Sequence, residues 1–136
     1  MRPPWSTKPP GKRLRAVPED IEQAALMEWA ALAEATHPEL ERLFHIPNGG
    51  QRHKAVAAKL AGQGVRPGVP DLCLPVPRGD WHGLWIEMKS TTGRTSPEQR
   101  AWLEFLALQG YATAVCRGWL AARDVLLAYL EGRFKG

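Results

Sequence analysis

"GLWIEMKSTTG", Gly83–Gly93, is the stretch on which the reading of this chain turns. As a strand it alternates, with Leu84, Ile86 and Met88 on one side and Trp85, Glu87 and Lys89 on the other. A carboxylate and an ammonium therefore share one face of an otherwise apolar strand. Charges in such a place are costly unless they are paired or hold a metal. The stretch alone allows a Glu–Lys pair at a sheet edge or a catalytic pair.

Working upstream, "DLCLPV", Asp71–Val76, predicts a second strand, and "PRGDWHG" turns the chain so that the two pair as an antiparallel hairpin. Asp71 then converges with Glu87. Two carboxylates and a main-chain carbonyl, that of Met88, make an all-oxygen site suited to Mg²⁺ or Mn²⁺. Lys89 alongside can orient or deprotonate a water, or stabilise charge on phosphoryl oxygens. That set points to phosphodiester hydrolysis.

Downstream, "SPEQRAWLEFLALQG" is the clearest helix signal. Ser96 caps it, Pro97 fits the first helical position, and Gln99 completes a capping box before Gly110 stops it. "YATAVC" predicts a strand and "WLAARDVLLAYLEG" a closing helix. "PEDIEQAALMEWAALAEA" predicts the first helix, with an apolar face of Leu26, Trp29, Ala30 and Ala33. A short segment follows, extended near Phe44–Ile46, and a second helix runs from about Gln51 to Ala61. A strand, a crossover helix and another strand imply a parallel βαβ unit in a mixed sheet. The expected class is α/β, a mixed β-sheet flanked by helices.

The 136 residues suit one domain, and the 44% apolar content suits a packed core. No run is long enough for a membrane span and no signal peptide is evident, so an intracellular, cytoplasmic protein is expected. Residues 1–18 hold five basic groups and no acidic one, while the rest holds 13 basic and 14 acidic groups. This Pro-rich stretch is read as a flexible tail preceding a domain at 19–136. It either screens phosphates of a polyanion or acts as a solubilising leader. Cys73 and Cys116 read as core thiols. His37, His45, His53 and His82 lack metal-ligand spacing, and the tryptophans outside the tail read as core rather than base-stacking platforms. No Gly-rich nucleotide fingerprint is present, so no nucleotide cofactor is expected.

"IPNGGQR", "PGVPDL", "GLWIEMK" and "SPEQ", in this order and spacing after an acidic helix start, resemble the VRR-NUC family of the PD-(D/E)xK nuclease superfamily. The resemblance implies a restriction-endonuclease-like core over residues 19–130. It makes Asp71, Glu87 and Lys89 the motif residues and Glu19 the first-helix acid that joins the metal, with Gln23 its partner one turn later. Glu22 stands where the family has an aliphatic residue, which leaves it as the alternative acid.

The "HIPNGGQR" turn is a second constellation. Asn48-Gly49 can adopt positive φ, and Arg52 and Lys54 at the following helix start can clamp a phosphate. The resemblance brings Asn48 and Arg52 to the active-site rim and gives Gln99 a possible substrate contact beside its capping role.

The implied activity is metal-dependent, structure-selective cleavage of branched DNA such as four-way junctions, by a homodimer. The alternatives are a flap- or fork-directed nuclease and a DNA-binding module of the same fold without hydrolysis.

Overall fold

The computed structural model describes residues 17–47 and 54–136. Helix α1, Glu19–Ala33, begins after Pro18 with Glu19, Asp20 and Glu22 in its first turn, where acidic groups complement the helix dipole. Its expected stripe is the buried one: Leu26 and Ala30 are in the core, with Trp29 and Ala33 packed against it. A 3₁₀ turn at Pro38–Arg42 then anchors Leu40, with Leu43 buried just after it, and leads into strand β1, Phe44–His45.

Helix α2 spans Lys54–Gly62. Strands β2, Leu72–Leu74, and β3, Leu84–Lys89, form the antiparallel hairpin read from the sequence, in register Leu72↔Ile86 and Cys73↔Trp85. Helix α3, Pro97–Leu108, opens with the expected capping box, in which Ser96 and Gln99 each accept the other's backbone N–H. It carries the chain over to β4, Ala112–Arg117, which pairs with β3 in parallel. Helix α4, Trp119–Leu130, closes the fold.

The sheet order is β1-β2-β3-β4. Leu84, Ile86 and Met88 of β3 and Ala112 and Cys116 of β4 face α1 and α4, whose Leu26, Ala30, Ala122, Leu126 and Tyr129 complete the core. Trp85, Glu87 and Lys89 take the opposite face. Because β3 lies between β2 and β4, the edge-strand alternative for the Glu–Lys pair does not hold: Glu87 is 1% exposed and Lys89 7%.

Several boundaries differ from those read in the sequence. β2 stops at Leu74 rather than Val76, because Pro75 has no N–H and the Val76 N–H turns back to the Leu74 carbonyl at 2.9 Å. β1 is two residues, not three, and β4 is displaced one residue toward Arg117. The start read for α2 at Gln51 lies outside the described residues, as do the tail to residue 16, Asn48, Gly49, Arg52 and the side chain of Lys54. Cys73 and Cys116 are buried and free, and burial pushes their thiols up to about 11 and about 12. They are core thiols, as expected. No helix among the described residues is long and apolar enough to cross a membrane.

Candidate active site

Asp71 stands one residue before β2, and continuing the register places it opposite Glu87. Its Oδ2 accepts the Met88 N–H at 2.7 Å, and its backbone carbonyl accepts the Ile46 N–H at 2.7 Å. The His45 ring reaches that same carbonyl through Nδ1 at 2.9 Å. The aspartate is therefore fixed from both neighbouring strands. A strand residue directs its N–H and C=O to the same edge, so the Met88 carbonyl also opens toward Asp71.

Glu87 is pushed up to about 9. Burial is the first cause, followed by its hydrogen bond to Asp71 and that group's charge; Lys89 pulls the other way and Glu19 adds a small upward push. Its Oε1 is buried without a hydrogen-bond partner. A carboxylate left in this condition is expensive to ionise unless a cation arrives. The donor set fits a hard divalent ion: two carboxylates and one carbonyl, with water completing the shell. Among the described residues no three His, Cys, Asp or Glu side chains gather as a metal-binding group.

Glu19, expected to join that set from α1, lies against the lysine instead, with its Oε1 4.0 Å from Lys89 Nζ. Glu22 is engaged elsewhere: its Oε2 accepts the Trp119 N–H at the start of α4. Of the two first-helix acids, only Glu19 reaches the lysine. Gln23 is half-buried on the same helix, one turn from Glu19, and no hydrogen bond ties it to Asp71, Glu87 or Lys89. The Gln99 side-chain oxygen is occupied by the cap of α3.

Two features of the site escaped the sequence. Gly93, in the loop after β3, packs so closely that a Cβ would lie 3.3 Å from Glu19 Oε1 and 3.4 Å from Lys89 Cδ. Arg117, paired across the sheet with Lys89, donates to the Gly93 carbonyl and, at 3.3 Å, to the Ser90 carbonyl. The loop is thereby latched over the Glu19–Lys89 pair. Gly118 has φ +88° and donates its N–H to the Lys89 carbonyl at 3.0 Å, so the same corner seats both the lysine and the Glu22 contact.

The Glu87 shift has a thermodynamic consequence for the metal-free protein. A raised folded-state pKa adds stability that is full below the unfolded value, near 4.5, and is lost as pH rises toward about 9. Glu87→Gln should remove this loss and stabilise the protein at pH 8 in EDTA by about 1–3 kcal/mol. Thermal unfolding across pH 5–9 checks it; parallel curves for the two proteins would contradict the burial argument.

The comparisons with known proteins bear on the family and the fold. The VRR-NUC domain model matches residues 11–119, from within the basic N-terminal stretch to the first residue of α4. A solved structure described as a VRR_NUC domain protein is similar at 30% identity and a TM-score of 0.73, over 86% of this chain and 91% of that one. No curated protein matches. The chain belongs to the VRR-NUC domain family, a nuclease family.

Proposed function

We propose that the protein is a Mg²⁺- or Mn²⁺-dependent endonuclease that hydrolyses phosphodiester bonds in branched DNA such as four-way junctions. The observation that carries this reading is the buried carboxylate of Glu87, opposite Asp71 and with one oxygen left without a hydrogen-bond partner, with Lys89 on the same strand face. A structural ion pair would satisfy that oxygen. A cation site leaves it free.

Asp71 and Glu87 would hold the ion together with the Met88 carbonyl, and Asp71 is already positioned by the Met88 N–H. When bound, the ion supplies Lewis acidity at the phosphoryl group and a water of lowered pKa. Lys89 directs its ammonium to the attacking water or to the charge that develops on the phosphoryl oxygens. Glu19, with its Oε1 4.0 Å from Nζ, stands beside that ammonium as its carboxylate neighbour. The latched Gly93 loop packs against this pair.

A homodimer belongs to this reading, carried from the family resemblance and supported by substrate size. A compact chain of 136 residues touches one arm of a junction, and a two-fold pair of copies doubles the phosphate contacts. The test is a panel of labelled duplex, flap and four-way junction DNA, each with Mg²⁺, Mn²⁺ or EDTA. Metal-dependent cutting that favours the junction is expected. Preferential cutting of the flap would make the protein flap-directed. Binding to all three without cutting would reduce it to a DNA-binding module.

A further inference from the structure

Helix α2 is the part of the fold that packing among the described residues explains least. Ala55, Val56, Ala57, Ala58, Lys59, Ala61 and Gly62 are all exposed, and only Leu60 is half-buried. Among the described residues, no helix or strand makes a substantial packing contact with it. Nine residues are too few for a helix to be stable alone in water, where isolated helices shorter than about 12–15 residues are marginal.

Its attachment is equally specific. The chain leaves the sheet at Ile46, whose N–H bonds the Asp71 carbonyl, and returns through Pro70 to Asp71 itself. The segment is thus an arm closed at its base on the candidate catalytic aspartate. Its charge is one-sided: between Glu41 and Asp71 the sequence has five basic residues and no acidic one. Of these, Lys59 and Arg66 lie on the described arm, both exposed and without an ion pair among the described residues.

We infer that α2 and the turn to Arg66 form a DNA-gripping arm that lies along the duplex beside the scissile phosphate. Charge complementarity selects this occupant, since an acid-free cationic arm suits a polyanion and repels a second copy of itself. Small side chains at Ala55, Ala58 and Ala61 let the helix come close to the duplex, whose major groove admits an α-helix. Contacts made through Lys59 and Arg66 go to phosphate, so they add affinity without sequence preference. The inference rests on the proposed DNA substrate.

The experiment measures binding of labelled duplex and four-way junction DNA in EDTA, with log K followed against log salt, for the parent, Lys59→Ala/Arg66→Ala and Val56→Glu. The double variant should bind both DNAs several-fold more weakly and lose about 1.8 from the salt slope, about 0.9 for each phosphate contact. Val56→Glu should weaken binding while leaving the melting temperature and the solution mass unchanged, because the position is exposed and unpacked. A parent that binds DNA with a slope the double variant shares would overturn the inference and leave the substrate reading intact. A parent that binds no DNA would overturn both. A fall in mass for Val56→Glu with unaltered DNA binding would make α2 a contact between copies and sink the arm.

Discussion

Asp71→Asn should reduce cleavage of branched DNA by about 10³-fold or more, ~4 kcal/mol of transition-state stabilisation, because it removes one of the two carboxylates available to a divalent ion. The fold should survive. An asparagine side-chain oxygen can still accept the Met88 N–H, and the Asp71 backbone contacts to Ile46 and His45 are untouched. Loss of the Asp71 charge also relieves one cause of the upward shift at Glu87. DNA binding should persist or strengthen, since repulsion of phosphate falls. The measurement is single-turnover cleavage beside equilibrium binding of the same preparation. Parental cutting by the variant would end the role given to Asp71.

Lys89→Ala should lower the cleavage rate by roughly 10²-fold or more, about 2.7 kcal/mol at 1.36 kcal/mol per tenfold. Lys89 is 7% exposed and its Nζ stands 4.0 Å from Glu19 Oε1, a distance that makes the contact an electrostatic neighbour rather than a tight hydrogen bond. The group is therefore available to another partner, as a phosphate or a nucleophilic water would be. Mn²⁺ binding should remain, because an ammonium is not a ligand. Calorimetric titration separates the two roles. Near-parental cleavage with intact metal binding would leave Lys89 as a buried structural charge.

Much of the site could be read in the sequence because it rests on short-range rules. Alternation along Leu84–Lys89 placed Glu87 and Lys89 on one face, and the hairpin brought Asp71 to them, as the register shows. The capping box at Ser96 and Gln99 is local chemistry and formed as read. Glu19 was read as the first-helix acid from its place one turn before Gln23, but what engages Glu22, the Trp119 N–H it accepts from 97 residues away, was not legible. The same holds for the Arg117 latch, which needs the parallel register of β3 and β4. The edge-strand reading of the Glu–Lys pair failed for a related reason: whether β3 lies inside the sheet is decided by β4, not by its own residues. The residues of α2 read as a helix but could not show that, among the described residues, no other element packs substantially on it.

The metal centre is the central claim, and crystals of the parent protein soaked in Mn²⁺ test it most directly through the anomalous difference map. A single strong peak is expected within about 2.0–2.4 Å of carboxylate oxygens of both Asp71 and Glu87, with the Met88 carbonyl completing the protein ligands. Saturating Mn²⁺ with no peak between those two carboxylates, in a preparation that cuts DNA, would contradict it.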